Sequence, residues 1–94
     1  MATLSIDRIE DELAVRGLET RYTGSDDFTF FSISSDTREI EIVDGVSGAY
    51  FRSDNVTEAI LYLDGQAVEN ATDAFEGVES VTEFLTAVTE LLNR

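Results

Sequence analysis

Residues 28–43, Phe-Thr-Phe-Phe-Ser-Ile-Ser-Ser-Asp-Thr-Arg-Glu-Ile-Glu-Ile-Val, decide the fold. Phe28–Ser34 is rich in aromatic and β-branched residues and bounded by turn residues, which predicts a strand. Ser35-Asp36 turns the chain. Arg38–Val43 then alternates, setting Ile40 and Ile42 on one face and Glu39 and Glu41 on the other. A strand with one wet face belongs to an antiparallel sheet. Outward from this pair, Gly24-Ser25-Asp26-Asp27 reads as a turn and Leu18–Thr23 as a short preceding strand. Downstream, Asp44–Gly48 has hairpin-loop length, and Ala49–Arg52 is expected to complete a three-strand meander.

Two helices flank this sheet. Ser5 is placed to cap the first, with Leu4 and Ile9 as a hydrophobic staple. Ile6, Ile9 and Leu13 share its face. Acidic residues at its start and Arg16 at its end complement the helix dipole. Gly17 can take the left-handed stop, with Leu18 folding back on Leu13. The second helix starts at the capping box Ser80-Val81-Thr82-Glu83. Val81, Phe84, Leu85, Val88, Leu91 and Leu92 form its apolar stripe, which is expected to face the core. Glu90 and Arg94 are spaced as an i, i+4 ion pair. Residues 54–77 admit two readings. Asn55–Glu58 fits a capping box ahead of a helix, whereas Ile60–Leu63, Asp64-Gly65 and Gln66–Glu69 fit a hairpin, which Asp-Gly favours. Asn70–Gly77 is expected to be loop or a single helical turn. The expected class is α+β, one domain over residues 1–94, with an antiparallel sheet of three to five strands packed against N-terminal and C-terminal helices.

The charge is the strongest compositional signal. Twenty Asp and Glu oppose six basic residues, a net charge of −14, and all six are Arg. At low salt such a charge destabilises the compact state by self-repulsion. Screening shortens from ~10 Å at 0.1 M salt to ~3 Å at 1 M, so concentrated salt removes most of that cost. Dense carboxylates hold water and cations, and the absence of Lys trims exposed alkyl surface. In this composition the chain resembles cytoplasmic proteins of extremely halophilic archaea. The resemblance implies a cytoplasmic location at high salt. An acidic mimic of nucleic acid is the rival reading, but carboxylates scattered along the whole chain favour habitat. The order of helix, three strands and later helix is also similar to that of small dimeric secretion-chaperone-like domains.

Several function classes lose support. With no Cys there is no disulfide, thiolate metal site or thiol nucleophile. His and Lys are absent too, removing the common general base and Schiff-base amine, so the expectation is a non-enzyme without a cofactor. Carboxylates, hydroxyls, Tyr and Arg remain, which leaves a carboxylate-pair hydrolase as a lesser alternative. Nucleic-acid and membrane-surface partners are disfavoured by the sign of the charge. The N-terminus has neither the basic region nor the long apolar run of an export signal, and no stretch approaches the ~20 apolar residues of a membrane span. The two sequons, at Asn55 and Asn70, are read as chance. Asp26, Asp27 and Asp36 form the densest acidic spot near turns and are the candidate ligands for a hard cation. Against this, no EF-hand register fits, and a solvated acidic turn accounts for them.

Surfaces remain. Successive strand residues point to opposite faces, so Phe28, Phe30 and Phe31 put aromatic groups on both sides of one strand, and Tyr50 and Phe51 do so on another. These five are the candidate interaction face. The expected function is a non-catalytic protein-interaction module that self-associates as a homodimer or binds a protein partner. A small-ligand or cation-binding regulatory domain, with a pocket between the sheet and the terminal helix, is the alternative.

Overall fold

A computed structural model describes residues 4–24, 29–44, 50–52 and 56–94. In chain order the elements are β1 (Leu4–Ser5), α1 (Ile6–Val15), β2 (Glu19–Gly24), β3 (Thr29–Ser35), β4 (Arg38–Asp44), β5 (Tyr50–Phe51), β6 (Val56–Leu63) and β7 (Gln66–Asn70). A 3-10 turn (Thr72–Phe75) and α2 (Val81–Leu92) follow. β2, β3, β4, β6 and β7 form a five-stranded sheet in that order, every neighbouring pair antiparallel. The chain is α+β, with helices at both ends of the sequence.

Local chemistry explains the helix ends. The Ser5 hydroxyl accepts the Arg8 N–H at 3.4 Å, and Leu4 and Ile9 are both buried. At the other end of α1, Gly17 takes φ 78°. The Leu18 N–H returns to the Leu13 carbonyl at 3.1 Å and the Gly17 N–H to Ala14 at 3.0 Å, the two bonds of a Schellman ending. In α2 the Ser80 hydroxyl accepts the Glu83 N–H at 3.1 Å. The Glu83 carboxylate reaches one residue further back than a strict capping box, accepting from the Glu79 N–H at 3.1 Å.

Three expectations need correction or resolution. Within residues 54–77, of which 54 and 55 lie outside the described residues, β6 and β7 form the hairpin: Asp64 at φ 51° and Gly65 at φ 82° make the left-handed two-residue turn that Asp-Gly favours. Beyond it, the Asn70 side chain accepts from the Thr72 N–H at 3.0 Å, opening the 3-10 turn. Of the expected third strand, Ala49 lies outside the described residues, and Tyr50–Phe51 does not complete the meander. Tyr50 and Phe51 pair instead with Ser5 and Leu4 in a separate two-stranded ladder, and β6 takes the place beside β4. Eight residues of β6 offer β4 a longer ladder than two residues of β5 can. Finally, Arg94 pairs with Glu69 on β7 rather than Glu90, and so ties the chain end to the sheet edge.

One core cluster unites the elements. Ile6, Ile9 and Leu13 of α1, and Phe84, Leu85, Val88 and Leu91 of α2, meet Phe31, Ile33, Ile40, Ile42, Ala59 and Leu61 from the sheet. The registers Phe31↔Ile42 and Ile33↔Ile40, then Ile40↔Leu61 and Ile42↔Ala59, line these residues up on one face. Phe84 packs on Phe51, Phe75 and Phe31, with ring centroids 4.9, 5.4 and 6.2 Å away. Both helices therefore cover the same face of the sheet.

Candidate functional site: the open face of the sheet

The opposite face follows from the same registers, because the side-chain period of a strand is two. It carries Phe30 and Val43 directly opposite each other, Ile60 opposite Glu41, and Tyr62 opposite Glu39. Among the described residues no helix or strand packs over this side. Phe30, Val43, Ile60 and Tyr62 are all half-buried. Glu39, Glu41 and the exposed Glu58 lie between and beside them, with exposed Glu19 and Arg21 on β2.

The polar groups on this face are organised by hydrogen bonds. The Glu39 carboxylate accepts from the Ser32 hydroxyl at 3.0 Å and the Ser34 hydroxyl at 3.3 Å. Ser32 is the one buried polar residue among those described, and Glu39 satisfies it. The Tyr62 hydroxyl donates to Glu41, its diagonal neighbour across β4 and β6. That bond raises the Tyr62 pKa above the ordinary tyrosine value. Lost solvent and the charges of Glu41, Glu58 and Glu39 push the same way. The face is thus an apolar patch with fixed acidic groups set into it.

The five residues proposed from the sequence divide. Phe31 and Phe51 are 1% and 2% exposed, so they are core and present no surface. Phe30 is on the open face. Tyr50 is 55% exposed but sits on the small β1–β5 ladder, away from the sheet face. Phe28 lies outside the described residues. Val43, Ile60 and Tyr62 belong to the face and were missed. The alternation of residues 38–43 already puts Val43 with Glu39 and Glu41. Ile60 and Tyr62 become assignable once Asp64-Gly65 is accepted as a turn and β6 is registered on β4.

For a cation site, Asp26 and Asp27 lie outside the described residues. Asp36 is exposed in the β3–β4 turn at φ 41°. Among the described residues no group of three or more Asp, Glu, His or Cys could hold a metal ion. Surface grooves are present, among them an opening of about 360 Å³ between α1 and α2 that Arg8, Arg16, Leu85 and Thr86 help to line. A smaller one of about 230 Å³ lies where α2 ends against β6 and β7. The Glu10 carboxyl has a raised pKa, caused first by burial and then by Asp7 and Asp11 on the same helix. Partial burial, with Asp7 and Asp11 on the same helix, accounts for that shift. Among the described residues no helix is long and apolar enough to cross a membrane. No family model, curated protein or solved structure matches the chain.

Proposed function

We propose that this chain is a non-catalytic protein-interaction module that works at high salt and docks its partner on the open face of the sheet. The observation that carries the reading is the five-stranded sheet with both helices on one side and Phe30, Val43, Ile60 and Tyr62 on the other. Apolar and aromatic groups in a contiguous surface patch commonly mark an interface. Charge selects the occupant. Among the described residues, Glu19, Glu39, Glu41 and Glu58 face outward here against a single Arg21. A second copy stacked face to face would set these carboxylates against their equivalents. A partner with apolar side chains set among Arg or Lys complements them. Halophilic use is supported by the net charge of −14 and an all-Arg basic complement.

The test compares tagged wild type with Ile60→Asp and Phe30→Asp in pull-downs at molar KCl. Thermal midpoints of all three proteins are measured alongside to establish that each is folded. The proposal expects a protein held near equal stoichiometry by wild type and lost from both variants. The same protein recovered equally from all three baits places docking elsewhere.

A further inference from the structure

An antiparallel sheet that does not close leaves two edges, and this one treats them differently. β7 is short, and its pairing with β6 slips between Leu61 and Tyr62. The Asn70 side chain at its end is committed to Thr72. Irregularity of this kind protects an edge against further pairing. β2 carries no such device. Its six residues keep one-to-one register with β3 from Glu19↔Ser34 to Gly24↔Thr29. Among the described residues, nothing pairs with its outer side in the sheet. No Pro or Lys guards it, since the chain has neither.

Residues 18–22, Leu-Glu-Thr-Arg-Tyr, are also complementary to themselves when reversed. Apolar residues stand at both ends, an acid and a base stand inside them, and Thr20 is central. Glu19 and Arg21 are exposed on the open side, and no ion pair among the described residues engages either. Leu18 and Tyr22 are half-buried against the core on the helix side. We propose that β2 pairs antiparallel with β2 of a second copy across a two-fold axis at Thr20, joining two five-stranded sheets into one of ten strands. In this register each residue faces the one whose number makes the pair symmetric about 20. Glu19 meets Arg21 of the partner subunit, and Arg21 meets Glu19 of the partner subunit. Leu18 meets Tyr22 of the partner subunit on the helix side. Side-chain facing is kept, because directly opposite residues in an antiparallel pair share a face.

Charge complementarity selects a second copy. β4, β6 and β7 each carry net negative charge and would repel their own copy, whereas this segment holds one acid and one base in the order that self-pairing needs. Shifting the axis by one residue to Arg21 would oppose two guanidinium groups, and shifting it to Tyr22 would leave both charges without an opposite. At 1 M salt the screening length of ~3 Å is comparable to contact distance, so opposite charges in direct contact still interact. The proposal does not depend on the docking reading: Glu19 and Arg21 lie on the same side of the sheet as the apolar patch, but the pairing rests on the β2 edge and its charge order, not on Phe30, Val43, Ile60 or Tyr62.

Sedimentation velocity in molar KCl is the test, with circular dichroism melts to show that each variant is folded. Wild type is expected to be a dimer. Glu19→Arg and Arg21→Glu each replace two attractive contacts with two repulsive ones, and are expected to weaken self-association by roughly tenfold or more. Mixed one to one, the two variants are expected to pair with each other, since every contact is again between opposite charges. Because the chain has no cysteine, Thr20→Cys adds a unique thiol, and its oxidation is expected to yield a covalent dimer faster than that of Glu19→Cys. Opposed residues stand within the ~4.4–6.8 Å that a disulfide spans. A wild type that stays monomeric at millimolar concentration overturns the proposal. A dimer indifferent to both charge reversals, or one in which the mixture fails to restore pairing, overturns it equally.

Discussion

Phe30 and Phe31 are adjacent, chemically identical and on opposite faces of β3, so truncating each to alanine separates the two halves of the account. Phe31 is 1% exposed and packs against Phe84 at 6.2 Å between ring centroids. Removing a buried phenylalanine side chain costs about 3–5 kcal/mol through lost transfer energy and an unfilled cavity. For a domain of this size each kcal/mol lowers Tm by roughly 4–8 °C, so Phe31→Ala is expected to drop the midpoint by roughly 12–40 °C. Against a total stability of about 5–15 kcal/mol that is a large fraction, so the comparison is made in molar KCl, where carboxylate repulsion is most screened. Phe30 is half-buried and its directly opposed neighbour is Val43. A cross-strand pair of this kind is worth about 0.2–1 kcal/mol, so Phe30→Ala is expected to lower Tm by less than about 8 °C. Differential scanning calorimetry of both variants in the same molar KCl measures the difference. Equal losses, or a greater loss for Phe30→Ala, would refute the assignment of faces and the candidate site with it.

Salt dependence is the next expectation. Carboxylate repulsion in a chain of net charge −14 predicts a Tm that rises between dilute buffer and molar KCl, and an unchanged midpoint would contradict the halophilic reading. Arg38 donates to the Leu92 carbonyl at 2.8 Å, and among the described residues it supplies α2 with the cation its last turn lacks. Arg38→Met is therefore expected to cost about 1–3 kcal/mol in denaturant titrations, through the lost charged hydrogen bond. Glu10 has a carboxyl pKa raised above 4.5, so its ionised form is disfavoured in the folded chain. Removing this partly desolvated charge, and with it the repulsion from Asp7 and Asp11, is expected to make Glu10→Gln more stable at pH 7 by about 0.2–0.5 kcal/mol. That advantage should fade as pH falls through the raised pKa and be absent below the ordinary value, because Glu10 is then neutral in both states. Urea midpoints at pH 7 and pH 3 measure it.

Much of the fold is legible from short-range chemistry. Ser5 and Ser80 cap helices because their hydroxyls satisfy first-turn donors, and Gly17 ends α1 because it takes a positive φ cheaply. The alternation of residues 38–43 places Ile40 and Ile42 inward correctly. The failures are long-range. Nothing local in Tyr50-Phe51 says that it will pair with Leu4-Ser5, and nothing local in Arg94 prefers Glu69 to Glu90. The site was half legible for the same reason. Alternation showed that Phe30 and Phe31 must diverge, but choosing the open side required knowing where both helices pack. Ile60 and Tyr62 joined the site through the β4–β6 register, which pairs segments separated in sequence by residues 45–55.

Hydroxyl-radical footprinting read by mass spectrometry tests the central claim most directly, because it reports the exposure of each aromatic side chain. The free protein at high salt is expected to be oxidised at Phe30 and Tyr62 while Phe31 and Phe84 stay protected. Adding the co-purified partner is expected to protect Phe30 and Tyr62 and to leave exposed Tyr50 reactive. Phe30 and Tyr62 equally reactive with and without a bound partner would contradict the open face of the sheet as the docking surface.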